Sequence, residues 1–243
     1  MAGMQNLRPL TVLSSTFACV AVTAAALTGC SFKSGPGGGP LPEAATLVKE
    51  SAQTSASVTS AHLVLEVTGK VPGLPVKILT GDLTTTPETA AKGNAQLNFM
   101  GQDISADFVV ADGHLFTNAL SPGSPTMSDV GPASQLYDPS AILKPDTGIA
   151  NVLNNFADAK AQGRDTVAGG TAVHITGTVS ADAVNKIAPP FHATKPVPAD
   201  VWIQETGSHQ LVRVKLESSP GNAVQMTLSK WGDPVQITKP SAI

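Results

Sequence analysis

The feature that most limits the fold of this chain is a period of two that keeps returning along it. Between His62 and Thr68, Leu63, Leu65 and Val67 fall on one side, and His62, Val64, Glu66 and Thr68 fall on the other. Ala95, Leu97 and Phe99 alternate with Gln96 and Asn98, and Ile104, Ala106, Phe108 and Val110 alternate with Ser105, Asp107 and Val109. Toward the C-terminus, Val212, Val214 and Leu216 alternate with Arg213 and Lys215, and Val224, Met226 and Leu228 alternate with Gln225 and Thr227. A pleated strand sends successive side chains to opposite faces, so each run reads as a strand with one buried and one wet face. Pro72-Gly73, Gly101-Gln102 and Asp112-Gly113 are turn signals between neighbouring runs, and the last is a two-residue hairpin signal. Further runs at Val76 to Thr85, His114 to Asn118, Thr171 to Val179 and 199 to 205 bring the total to roughly nine to eleven strands, enough for a single antiparallel sheet.

A smaller number of segments change to the helical period. Pro42 opens a helical stretch over 43 to 58, with Ala44, Leu47, Val48, Ala52 and Ala56 near helical spacing. A cap near Asp146 or Thr147 opens a second over 148 to 158, with Ile149, Val152, Leu153 and Phe156 at i, i+3, i+4 and i+7. Leu120 to Ser128 is a loop by composition, Asp138-Pro139 reads as an N-cap with proline at the first helical position, and Ser180 caps a short helix before a proline-rich connection over 189 to 198. The class is α+β. The helices at 43 to 58 and 148 to 158 are expected to pack on the concave apolar face of a strongly curved sheet.

The first thirty residues have a different purpose. From Pro9 to Phe32 there is no charge, and the apolar run that follows Arg8 ends in Leu27-Thr28-Gly29-Cys30. A basic start, an apolar centre and small residues before the cut make a secretory signal. The tetrapeptide resembles the lipobox of bacterial lipoproteins, in which the cysteine thiol receives a diacylglyceryl group and becomes the new N-terminus. The expected organisation is a signal peptide over 1–29, a lipidated Cys30 with a flexible Gly/Pro/Ser tether over 30–42, and one domain over 43–243. The only other cysteine, Cys19, is discarded with the signal. Two acyl chains hold a protein stably at a membrane where one does so only marginally, at ~0.8 kcal/mol per buried methylene.

No constellation in the remaining chain carries covalent chemistry. His62, His114, His174, His192 and His209 have no helical metal-binding spacing such as HExxH, no Gly-x-Ser-x-Gly elbow occurs, and the acids are scattered. No catalytic residue, metal or cofactor is assigned. Trp202 and Trp231 are read as core residues at a strand and a strand end. A net charge of -3 lacks the basic footprint of a nucleic-acid binder. The apolar fraction is 42%, yet the aromatics are only 7 Phe, 2 Trp and 1 Tyr, so the interior is short and aliphatic. Either the domain is small, or such an interior is incompletely filled by its own side chains and leaves room for an apolar ligand.

The runs SAHLVLEVTGKVPGL, TGDLTT, FVVADGHLF, QLYDPSAILKPDTGIANVLNNFADAKAQGRDT, NKIAPPFHATKPVPADVWIQETGSHQL and VQMTLSKWGDPVQITKP resemble the mycobacterial LppX/LprA/LprG lipoprotein family over residues 39 to 240. The resemblance implies a strongly curved antiparallel half-barrel backed by helices, similar to the carriers LolA and LolB, with a large apolar cavity between the layers. It implies a membrane-anchored carrier of triacylglycerols and acylated glycolipids: phosphatidylinositol mannosides, lipomannan and lipoarabinomannan. It further implies a place on the periplasmic side of the inner membrane with a fraction secreted or surface-exposed, a major-facilitator transporter as partner, recognition by host Toll-like receptor 2, and a monomer. Cys30 matches the lipobox cysteine. Ala95, Leu97 and Phe99 match a cavity-lining strand, with Leu63, Leu65, Val67, Phe108, Val152 and Phe156 as further candidates for a cavity holding two or three acyl chains. Ala95 stands where the family has a branched residue, which widens the cavity, and Met127 stands where it has an aromatic, which alters the mouth near Leu120 to Val130. The competing expectations are a cell-envelope lipid hydrolase and a structural or host-interacting lipoprotein without cargo.

Overall fold

A computed structural model describes residues 39–99, 101–135 and 138–241, with the side chain of Phe99 excepted. The leader, Cys30 and the tether up to residue 38 lie outside these residues. Among the described residues, eleven strands form one open antiparallel sheet. They are β1 (Ser60–Thr68), β2 (Val76–Thr84), β3 (Ala90–Phe99), β4 (Gln102–Ala111), β5 (His114–Thr117), β6 (Ser128–Pro132), β7 (Phe156–Val167), β8 (Gly170–Val179), β9 (Val197–Gln204), β10 (Leu211–Ser219) and β11 (Asn222–Ser229). The spatial order β6-β5-β4-β3-β2-β1-β11-β10-β9-β8-β7 is two meanders joined where β1 pairs with β11. The edges are β6 and β7, so the half-barrel does not close.

Two glycines let the first meander bend. Gly81 of β2 and Gly93 of β3 are register partners, and Phe108 of β4 is the next partner in the same row. A Cβ on Gly93 would stand 2.0 Å from the Thr80 carbonyl oxygen and 2.6 Å from the Gly81 Cα, and one on Gly81 would stand 3.2 Å from the Phe108 ring. Backbone approach this close is open to glycine alone, and it puts the sheet's sharpest crowding beside the Phe108 side chain.

The helices lie on the apolar face of the sheet. α1 (Ala44–Ala56) packs on α2 (Ile149–Asn154) and reaches β7 and β9, while a 3-10 turn at Pro139–Leu143 packs on β2 and β3. α1 begins at Ala44 rather than at Pro42, because the Glu43 carboxylate caps it by accepting from the amides of Ala45 (3.0 Å) and Thr46 (2.5 Å). Asp138 does cap its segment, accepting from the Ser140 amide at 3.0 Å, but the result is a single 3-10 turn. Leu47, Val48, Leu63, Leu65, Ile142, Leu143, Ile149, Val152 and Leu153 are all at most 4% exposed and belong to one continuous core.

The helix expected over 148 to 158 is corrected to α2, which stops at Asn154. Phe156 opens β7 instead and pairs with Val179 of β8. Four apolar residues at helical spacing were satisfied for three of their members by the helix, and the ladder of β7 with β8 claimed the fourth. β7 itself, FADAKAQGRDTV, is an edge strand with mostly exposed polar side chains, and β6, SDVGP, is the opposite edge. Neither was predicted, since an edge strand needs no apolar alternation.

Candidate functional site

The strands β2 to β5 leave an open pocket between their inner face and the layer that covers them, with a volume of about 520 Å³. Register builds its floor. Leu79, Ala95 and Ala106 form one row across β2, β3 and β4, and the two alanines put depth where longer side chains would put bulk. Leu97, Phe108, Leu115 and Thr117 extend the wall, and Gln135 and Pro139 lie on the covering side. Among the described residues no lining residue is charged, and only Thr117 and Gln135 have polar side chains. Thr117 spends its hydroxyl on the Asp107 carbonyl at 2.8 Å. A surface of this kind removes methylene groups from water and offers little to a polar group.

The rim is made of three segments that meet at one end of the sheet. In the β1–β2 turn, Gly73 has φ +78°, and Pro190 lies 3.5 Å from where its Cβ would stand, so this turn touches the 3-10 segment Pro189–Phe191. Across the opening, Ala119 and Leu120 lead the β5–β6 loop. The base of that loop is pinned by Asn118, only 5% exposed, which donates to the Ser124 carbonyl at 2.9 Å and accepts from the Asp107 amide at 2.8 Å. On the other side of the β1–β2 turn, and sharing Gly73 to Val76 with the pocket, a shallower depression of about 560 Å³ is lined in part by Lys70, Lys77 and Asn98.

The predicted cavity residues are thereby divided. Ala95, Leu97 and Phe108 line the pocket. Leu63, Leu65 and Val152 do not: they are at most 1% exposed, in the solid core beneath α1 and α2. Val67 flanks the shallower depression. Phe156 lies over Gly177 of β8, where an added Cβ would stand 2.3 Å from its ring, and faces a separate groove beside Val48 and Leu153. The side chain of Phe99 and all of Cys30 are outside the described residues. Sequence reasoning missed Leu79 and Ala106, which the alternation of their strands could have supplied, and Leu120, one of two large apolar residues, with Met127, in a Ser/Pro/Gly loop. The pocket of about 520 Å³ has room for at least one long acyl chain. Ile142, Leu143, Ile149 and Leu153 occupy the rest of the space between the layers.

Ionisable groups gather elsewhere. His62 pairs with Asp82 (2.7 Å), His114 with Asp129 (2.9 Å), His174 with Asp200 (2.8 Å) and His209 with Glu50 (3.5 Å). Trp202 is on the face away from the helices, in a small second apolar cluster with Val167, Ala172 and Val212 rather than in the main core. His174 stacks on it at 4.4 Å, Arg213 covers it, and its indole donates to Asp165 at 2.7 Å. Trp231 does pack against the main core. Among the described residues no three histidine, cysteine or acidic side chains gather as a metal site.

One ion pair bears on the tether. Arg164 of β7, with its side chain 5% exposed, donates to both carboxylate oxygens of Glu205 (2.6 and 2.5 Å) and to the carbonyls of Gly39 and Pro40, each at 3.1 Å. The hydrogen bonds from Arg164 hold the Glu205 carboxyl below its ordinary range, and those to Glu205 raise the guanidinium further above its own. The chain entering the domain is thus fastened at a defined place.

Residues 43–237 match the model of the LppX_LprAFG lipoprotein family. Over 226 residues the chain is 58% identical to the lipoarabinomannan carrier protein LprG of Mycobacterium tuberculosis, covering 93% of this chain and 94% of that protein. It is 56% identical over 229 residues to the protein of the same name from Mycobacterium leprae, covering 94% and 95%. Among solved structures, LprF from Mycobacterium bovis superposes with a TM-score of 0.74 at 29% identity, over 84% of this chain and 100% of that one. Mycobacterium tuberculosis LppX superposes with a TM-score of 0.62 at 27% identity, over 80% and 97%.

Proposed function

The chain belongs to the LppX_LprAFG lipoprotein family, and from that premise we propose that it is a lipid-anchored carrier that takes an acyl chain of its cargo into the pocket under β2 to β5. The observation that carries this reading is the uncharged lining of a pocket of about 520 Å³. A chain of about 16 methylenes buried there is worth on the order of 13 kcal/mol before the costs of ordering and association are subtracted. Affinity therefore needs no hydrogen bond, and specificity for a headgroup must come from outside the pocket. The depression beside the β1–β2 turn, with Lys70, Lys77 and Asn98, is a polar surface that adjoins the pocket and suits it.

The cargo in this proposal is a triacylglycerol or an acylated glycolipid such as a phosphatidylinositol mannoside, lipomannan or lipoarabinomannan, the last supported by the names of the relatives. Cys30 is the lipidated residue, holding the domain to the periplasmic side of the inner membrane, with a fraction released or surface-exposed. A monomer, it passes cargo toward the outer envelope together with a major-facilitator transporter, and its acylated N-terminus is what host Toll-like receptor 2 recognises. Binding and release suffice for this role, and no residue is assigned to covalent catalysis. Purifying the chain from Ser31 onward, extracting it with organic solvent and analysing the extract by mass spectrometry tests the reading. Acyl lipid near one equivalent is expected; a protein that stays empty after incubation with every cargo class named here overturns it.

A further inference from the structure

We propose that the β5–β6 loop carrying Leu120 is a lip that enters the surface of a lipid bilayer, so that an acyl chain passes from bilayer to pocket without crossing water. The proposal rests on the carrier reading and adds the surface through which loading happens. Leu120 is 75% exposed, and the only other exposed large apolar side chain among the described residues, Ile78, is 37% exposed. Exposure of a single leucine is ordinary in itself. What sets Leu120 apart is that it also lines the pocket, so whatever covers it outside is continuous with whatever fills the pocket inside.

The surroundings select the occupant. No charged residue occurs from Asn118 to Ser128, from Val71 to Val76, or from Pro189 to Phe191, the three segments that form the rim. Burying them in a headgroup region desolvates no charge on their own side chains, whereas the turns at the other end of the sheet bring Glu88, Glu205, Lys230 and Asp233 to any surface that approaches them. Asn118 holds the base of the loop, so Leu120 is presented by a fixed platform. The length of chain before the domain then brings a bilayer within reach. From Cys30 to Gly39 are nine residue steps, at most about 32 Å when extended, and Gly39 is fastened by Arg164. A nine-residue strand such as β2 is about 30 Å long, so the tether has enough length to match the height of the domain and to let the mouth turn to the membrane that anchors it.

A chain beginning at Ser31 keeps the family-matched residues and has no cysteine, so single thiols can be introduced. Leu120→Cys, and Ser208→Cys in the turn between β9 and β10 at the opposite end, are labelled with a polarity-sensitive dye and mixed with phosphatidylcholine–phosphatidylglycerol vesicles containing a bilayer spin quencher. The dye at 120 is expected to shift to the blue and be quenched, and the dye at 208 to stay in water. Equal responses at both positions, or none at 120 with lipid in excess, overturn the proposal. In parallel, Leu120→Ser is expected to weaken vesicle binding and slow extraction of a fluorescent acyl lipid by roughly tenfold to a hundredfold. Because Leu120 also lines the pocket, its affinity for a short-chain acyl lipid below the micelle threshold should fall as well, but only severalfold and by less than the loss in vesicle extraction. A loss of that affinity as large as the loss of extraction would make Leu120 a pocket wall only and end the lip proposal. Self-association that depends on Leu120, without vesicle contact, would hand the lip to a second copy of the chain and end it as well. If the wild-type protein fails to bind the monomeric lipid at all, the carrier reading itself falls.

Discussion

Tryptophan at position 95 should empty the carrier without unfolding it. Ala95 lies in the middle of β3 between Leu79 and Ala106, on the pocket floor, and is 6% exposed. An indole in place of its methyl group occupies roughly 140 Å³ more, about five units of ~30 Å³, against a pocket of about 520 Å³. Each methylene excluded from the pocket forfeits ~0.8 kcal/mol, so five cost about 4 kcal/mol, at most about a thousandfold in affinity. An acyl chain can also withdraw toward the mouth, which makes about tenfold the least effect expected. The assay is displacement of a fluorescent fatty-acyl probe, read beside thermal unfolding. Ala91 supplies the contrast, because it points to the same face of the same strand but is 0% exposed, belongs to the solid core and lines no part of the pocket. Ala91→Trp must push its neighbours apart and should cost about 1–3 kcal/mol or more of stability. Wild-type loading by Ala95→Trp, or a loss of stability as large as that of Ala91→Trp, would refute the claim that position 95 faces open space.

Other consequences follow from the sheet and its clamp. Gly93→Ala should destabilise the domain by about 2 kcal/mol in urea unfolding, because its Cβ meets backbone atoms of Thr80 and Gly81 that no rotamer can move aside; a neutral effect would mean that the β2–β3 crowding does not exist. Glu205→Gln should release residues 39–43 to limited proteolysis and lower the melting temperature at pH 7. The Glu205 carboxyl is held below its ordinary value of 4.5, so its contribution is present above that pH and is lost as pH falls through the lowered folded value. The gap between wild type and Glu205→Gln should therefore be widest at neutral pH and close under acid, and a gap that widened there would contradict the assignment. Cys30→Ser should leave the protein in the soluble fraction after cell breakage while the purified domain still binds the acyl probe; membrane retention would point to an anchor other than the acyl chains.

The fold was legible where burial imposes a pattern and illegible where it does not. β1, β4, β10 and β11 alternate because one face of each is in the core, and their period is printed in the residues. β6 and β7 are edges with little to bury, so SDVGP and FADAKAQGRDTV look like any polar stretch. Phe156 misled for a related reason. Its spacing from Ile149, Val152 and Leu153 suits a helix, yet an apolar residue at i+7 is equally at home as the first residue of a strand that covers the same core. For the site, the strand was readable and the depth was not. Alternation places Leu63, Leu65, Ala95, Leu97 and Phe108 all on the inner face, and only the three-dimensional position of the helical layer separates pocket from core.

That separation changes what the scarcity of aromatic residues means. If short aliphatic side chains left gaps everywhere, the cavity would run the length of the sheet, and Leu63, Leu65 and Val152 would line it. Instead α1, packed on α2 and reaching β7 and β9, closes with it over the centre and the second meander, where Val173, Ile175, Val201, Ile203, Val214 and Leu216 are 0% exposed. Small side chains can fill space densely when helices descend to meet them. Over β2 to β5 the described part of the covering layer is two short 3-10 turns, Ala133–Gln135 and Pro139–Leu143, and a pinned loop, too little backbone to descend, and there the same aliphatic composition leaves a pocket. The pocket is therefore set by the thinness of the cover as much as by Ala95 and Ala106.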